Sequence, residues 1–127
     1  MADIKKLFAT ASLKIELKGV GEIELILSPA DPIELSKVGL KLLKEEGEAL
    51  ANFEMIENFC VQHIVDWKGV EYEGKPIAPS EKIGDMEAVR RVLRAVCSDG
   101  RLLLNHVTEA LVGRDFFLQN SGEPLAS

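Results

Sequence analysis

The sequence predicts a predominantly helical α+β domain: an N-terminal β-hairpin, then about four helices, with a Trp/Gly/Pro turn joining the helical pairs. Three observations predict it. Apolar and charged residues alternate at period two over residues 12–28. Apolar residues then recur at three- and four-residue spacing in four later segments. Between the second and third of those segments lies His63–Ser80, which holds the chain's only Trp and only Tyr, two of its glycines and two of its prolines.

In the hairpin, Leu13, Ile15 and Leu17 alternate with Lys14, Glu16 and Lys18, and Ile23, Leu25 and Leu27 follow the Gly19-Val20-Gly21 break. One face is apolar and the other is charged, so cross-strand charge pairs are available. A lone hairpin is marginal in water, so its apolar face must pack on helices or further strands. Residues 1–11 read as a loose lead-in, with Leu7 and Phe8 as docking candidates. The first helix starts at Asp31-Pro32-Ile33-Glu34: Asp31 suits the N-cap, Pro32 the first helical position, and Glu34 can reach back to the cap. It runs to about Glu46 on a stripe of Leu35, Val38, Leu42 and Leu43, and Gly47 stops it. The second helix spans 48–65 on Ala49, Phe53, Ile56, Cys60 and Ile64, with Glu48, Glu54 and Glu57 off that stripe.

Glu71–Ile77 reads as a tight turn between two short extended segments, with Gly74 supplying positive φ. Trp67 is then expected to plug the seam between the helical halves. After a short turn at Ser80–Ile83 and a joint at Gly84, Asp85 caps a helix carrying Met86, Val89, Leu93 and Val96, with Glu87 and Arg91 as an i,i+4 pair. Ser98-Asp99-Gly100 breaks it. The last helix, 101–112, turns Leu103, Leu104, Val107 and Leu111 inward and stops at Gly113. The expected organisation is a single globular domain over 1–113 and a partly disordered tail over 114–127.

The chain has 127 residues, enough to bury about two-thirds of its unfolded surface without a disulfide or metal. A net charge of −6 argues against nucleic acid and against anionic membranes as partners. The N-terminus has no signal-peptide pattern, and no stretch approaches the roughly 20 apolar residues of a membrane span. Cys60 and Cys97 fall in apolar helical patterns and read as buried free thiols of a cytosolic protein, with a disulfide as the lesser alternative.

Candidate chemistry is sparse. Cys60, His63, Cys97 and His106 allow a zinc site to be drawn, but Cys97 and His106 lack the tight spacing of structural sites. Nothing marks Cys60 as an activated nucleophile. The carboxylates Glu45, Glu46, Glu48, Glu54 and Glu57, and Asp66, Glu71 and Glu73, read as solvated faces rather than acid–base pairs. Gly19-Val20-Gly21 is a hairpin turn rather than a phosphate loop. No catalytic residue, cofactor or metal is expected. Arg90, Arg91, Arg94 and Arg101 form the one local charge asymmetry, either a solvated face or a docking patch for an acidic protein surface, with Arg90 and Arg94 as its candidates. Phe116-Phe117-Leu118 either folds back on the core or meets a partner.

Val65-Asp66-Trp67-Lys68-Gly69-Val70, then Glu73-Gly74-Lys75-Pro76-Ile77 and Ser80, resembles a motif of the tail assembly chaperones of long-tailed bacteriophages. Asp66, Trp67, Gly69, Gly74 and Pro76 carry the match, and residues from about 13 to 95 are compatible with it. The resemblance implies a non-enzymatic protein of the bacterial host's cytoplasm, encoded by a phage or prophage. It would coat the tape measure protein, keep it soluble, and recruit tail-tube subunits during virion morphogenesis, without remaining in the particle. It also implies the short form of a gene that in many phages yields a longer, frameshifted fusion. A structural protein of the head–tail junction or tail is the alternative. Strand edges on the hairpin also make a homo-oligomer an open expectation.

Overall fold

In the computed structural model, which describes residues 3–44, 49–113 and 116–117, the chain orders itself around a three-stranded antiparallel sheet. After a 3₁₀ turn over Ile4–Phe8, capped by Asp3, strands β1 (Ala11–Leu17) and β2 (Gly21–Leu27) form the expected hairpin. Leu13 faces Leu25 and Ile15 faces Ile23, which sets one apolar side; Lys14 faces Glu24 on the other. Glu16 sits directly opposite Glu22, an unfavourable like-charge pair at the exposed end. Phe8 does not dock and is 73% exposed.

Helix α1 spans Pro32–Lys44. Asp31 Oδ1 accepts the Ile33 N–H at 2.7 Å, the expected cap. Glu34 does not reach back to that cap; its carboxylate turns to His63 instead. The expected stop at Gly47 lies outside the described residues, as do the side chains of Leu42 and Leu43. Helix α2 spans Ala49–His63.

The expectation of a predominantly helical chain is wrong. Among the described residues, seven strands form three small antiparallel sheets beside four α-helices, and strand is about as extensive as helix. The second helix stops at His63 rather than 65, and the next residues form β3 (Ile64–Lys68), which pairs antiparallel with β2. Trp67 is therefore not a plug between helical pairs. It lies on the third strand, opposite Leu25, in the sheet's apolar face. The hairpin requires a partner for its open edge, which Ile64–Lys68 supplies, and an apolar cover, which comes from the helices. Helical periodicity misleads here because Cys60 and Ile64 fit an i,i+4 stripe and a helix-to-strand junction equally well.

The Glu71–Ile77 turn forms as expected. Strands β4 (Glu71–Tyr72) and β5 (Lys75–Pro76) flank Glu73 and Gly74, both at positive φ, +52° and +81°. Two left-handed central residues match the right-handed twist of the strands. The next segment departs from expectation. Lys82–Ile83 (β6) and Met86–Glu87 (β7) make a third small sheet, with Asp85 in its exposed turn rather than capping a helix. Helix α3 is only Ala88–Leu93, and Arg90, not Arg91, pairs with Glu87. Val96 is accordingly off the helix, in a bridge to Leu102. Helix α4 covers Leu103–Val112, two residues later than expected, and ends at Gly113.

The core lies between the sheet's apolar face and α2, α3 and α4. Leu25, Leu27, Leu93, Leu103, Val107, Cys60 and Cys97 are fully buried. Both cysteines are free, as expected. Leu103, Leu104, Val107, Ala110 and Leu111 make one buried stripe on α4. The outer edge of β1 is covered at its C-terminal end, where Lys18 N–H donates to Val96 O and Ser98 N–H to Glu16 O. Gly69 ends β3 at φ +80°, where a Cβ would lie 3.3 Å from the Glu22 carbonyl oxygen. Gly69→Ala is expected to destabilise by about 1–2 kcal/mol from the left-handed backbone alone, read as a lower urea midpoint.

Candidate functional site

Helices α1 and α2 flank an open groove of about 500 Å³. Val38, Met55 and Phe59 supply its apolar surface; Glu34, Lys37 and Glu54 line it with charge. Phe59 is 4% exposed and anchors the groove to the core. One end is set by His63. Its Nε2 lies 3.0 Å from Glu34 Oε1, and its Nδ1 lies 3.1 Å from both Ser28 Oγ and Ser28 O. The backbone repeats the tie, with Ser28 N–H donating to His63 O at 2.8 Å. The start of α1, the end of β2 and the end of α2 thus meet at one histidine.

Behind the groove, Glu57 corrects an expectation. The sequence puts it on a solvated face; it is buried, 2% exposed. Arg94 donates to it through Nε at 2.7 Å and Nη2 at 3.1 Å, and Arg90 through Nη1 at 3.1 Å. The Arg94 hydrogen bonds, opposed by burial and reinforced by Arg90, hold the Glu57 carboxyl below its ordinary range. Arg90 also donates to Glu87 at 2.9 Å and to Asn58 at 2.8 Å, while the Arg94 guanidinium stands 5.5 Å from the centre of the Phe53 ring. Arg90 and Arg94 are therefore together, as the sequence suggested, but both turn inward to lock α3 onto α2. Arg91 and Arg101 are elsewhere: Arg91 donates to Ile83 O at 2.9 Å, and Arg101 pairs with Glu109. The buried carboxylate was missed because its two partners lie more than thirty positions away. The signal that would have found it is the i,i+4 spacing of Arg90 and Arg94, two cations aimed from one helix face.

The motif residues form one local unit. Trp67 is 6% exposed and its indole N–H donates to Ile77 O at 2.6 Å, closing the loop that carries Gly69, Gly74 and Pro76. Asp66 Oδ1 accepts the Trp67 N–H at 2.8 Å. Phe116 and Phe117 fold back: both are half-buried against the core, with ring centres 5.2 Å apart at 90°. Leu118 lies outside the described residues.

The four Cys and His residues do not gather. Cys60 is fully buried, with Sγ 3.4 Å from Thr108 Oγ1, and His63 is held by Ser28 and Glu34. Burial pushes the Cys60 thiol up to about 11. It is expected to resist iodoacetamide in the native protein at pH 8 and to react only on unfolding, as counted by mass spectrometry. Cys97 and His106 do meet, with Asp99 as a third member of the group. Among the described residues no helix is long and apolar enough to cross a membrane. A scan against protein-family models, a search of curated proteins and a search of solved structures each find no match to this chain.

Proposed function

We propose that the chain is a non-enzymatic tail assembly chaperone, acting in the cytoplasm of a bacterial host. It holds the tape measure protein soluble and recruits tail-tube subunits. Two things support the reading. One is the resemblance of the Asp66–Pro76 motif. The other, which carries the mode of binding, is the groove between α1 and α2, with Val38, Met55 and Phe59 as an apolar surface among charges. Such a groove suits the apolar face of a helical segment, the helix-in-groove mode of recognition. Self-association through the outer edge of β1 is part of the proposal.

The test is co-expression with a tape measure protein of the same phage or prophage, followed by pull-down. The chaperone is expected to raise the soluble fraction of that protein and to co-purify with it. Met55→Glu, which places a charge in the groove, is expected to cut the co-purified yield at least tenfold while leaving the circular dichroism spectrum unchanged. An unaltered soluble fraction overturns the proposal. Stoichiometric presence of this chain in purified virions overturns it in favour of a structural tail protein.

A further inference from the structure

Cys97, Asp99 and His106 converge from two elements that the sequence holds apart. Cys97 sits in the bridge to Leu17 at the end of β1, Asp99 in the turn that follows, and His106 on the first turns of α4. One ligand atom from each, Sγ, a carboxylate oxygen and an imidazole nitrogen, lies within 4.8 Å of the other two. The three are graded in depth: the cysteine is fully buried, the histidine half-buried and the aspartate exposed. The cluster is thus open to solvent on the aspartate side.

The turn is rigid where it needs to be. Arg101 N–H donates to Asp99 Oδ1 at 3.0 Å, Cys97 N–H donates to Arg101 O at 2.7 Å, and Gly100 N–H donates to Cys97 O at 2.9 Å. Those bonds occupy Oδ1 and leave Oδ2 facing the ring. His106 Nε2 is a buried atom 2.7 Å from Oδ2, so the ring and the carboxylate are already paired across the turn. An imidazole nitrogen, a carboxylate oxygen and a sulfur around one point make a mixed donor set.

We propose that Cys97, Asp99 and His106 form a binding site for a zinc-class divalent ion, with a solvent molecule in the fourth position. A thiolate, an imidazole and a carboxylate are the three ligand types that Zn²⁺ accepts, in tetrahedral geometry. Soft sulfur beside nitrogen disfavours Mg²⁺ and Ca²⁺, which take oxygen ligands. With metal–ligand distances of about 2.0–2.3 Å, tetrahedral ligand atoms stand roughly 3.2–3.7 Å apart. The Oδ2–Nε2 pair therefore opens by somewhat more than half an ångström, a movement the exposed Asp99 side chain can make. The thiol proton leaves to solvent as the sulfur–metal bond forms, so binding weakens as pH falls. Glu109 adds negative potential beside His106, while Arg101, which holds Glu109, adds positive potential beside Cys97 and Asp99. The ion would staple the turn after α3 to α4, independently of the groove and of the chaperone reading.

The test uses Co²⁺ as a spectroscopic probe and Zn²⁺ as its competitor on the reduced, full-length protein. Wild type is expected to bind one Co²⁺ with a near-ultraviolet thiolate-to-metal charge-transfer band and tetrahedral visible bands, both erased by one equivalent of Zn²⁺. Cys97→Ser is expected to lose the charge-transfer band, and Cys60→Ala to keep it. Asp99→Ala removes an exposed side chain and its bond to the Arg101 N–H; with an unchanged circular dichroism spectrum as the check on folding, it is expected to weaken Co²⁺ at least tenfold. His106→Gln is expected to do the same. Absence of the charge-transfer band in wild type overturns the proposal. So does a band that survives in Cys97→Ser, or an affinity that Asp99→Ala and His106→Gln both leave unchanged.

Discussion

Trp67→Ala is expected to lower the folding free energy by about 3–5 kcal/mol. The indole lies on β3 in the sheet's apolar face, 6% exposed, and its removal leaves a hole among well-packed neighbours. It also strands the Ile77 carbonyl, which accepts the indole N–H at 2.6 Å. Trp67→Phe separates the two contributions. It keeps most of the ring and loses the hydrogen bond, for an expected cost of about 1–2 kcal/mol. Urea denaturation followed by circular dichroism reads both. In the native protein the single tryptophan should emit at short wavelength and shift to the red on unfolding. An unchanged midpoint for the alanine variant would show that the indole is not part of the core.

The second large effect belongs to Glu57. The double variant Arg90→Ala/Arg94→Ala leaves a carboxylate, 3% exposed at the side chain, with no cation beside it. Removing the partners of a buried charge costs about 3–5 kcal/mol. Glu57→Gln is expected to cost less, about 1–2 kcal/mol, because Arg90 keeps Glu87 and Asn58 while the half-exposed Arg94 can turn to water. The pH dependence distinguishes the variants. In wild type the folded carboxyl titrates below its unfolded value, so its contribution is present above the ordinary carboxylate range and is lost as pH falls through that range toward the folded value. In the double variant only burial acts on Glu57, which pushes its carboxyl up. Its folded state then takes up a proton more readily than the unfolded chain. The stability gap between wild type and double variant should shrink between pH 7 and about pH 4. A gap that stays constant with pH would mean that Glu57 is not the group responsible.

Local rules read well in this chain where the decisive contacts are local. The β1–β2 register, the Asp31 cap, the left-handed turn at Gly74 and the stripe of α4 all depend on residues within one element or one turn. What was illegible depends on distant residues. Ile64–Lys68 is a strand because β2 offers an open edge, and no residue inside the segment announces that. Met86 and Glu87 read as a helix start because Asp85 is a good cap, yet Lys82 and Ile83 pair with them. Glu57 reads as wet because the helix pattern around it says nothing of Arg90 and Arg94. The grouping of Cys97, Asp99 and His106 was half legible: both the cysteine and the histidine stood out, but the turn that brings them together did not.

The junction of β2 with β3 also bears on how the molecule assembles in time. Leu27 pairs with Ile64, 37 residues further along and just past a register shift after Ile26, and both helices α1 and α2 lie in between. The β1–β2 hairpin can close within microseconds of its synthesis, but its second edge has no partner until α2 has been made and has folded back. At a ribosome's pace of about 5–20 residues per second, that edge waits for seconds. Closing so long a segment costs loop entropy before β3 returns any contact energy. The sheet's completion, rather than its nucleation, is then expected to set the folding rate. Mutations in β3 such as Trp67→Ala should slow refolding as well as speed unfolding. During that interval the nascent chain presents an apolar ribbon with one unpaired side, the kind of surface on which another nascent copy would register.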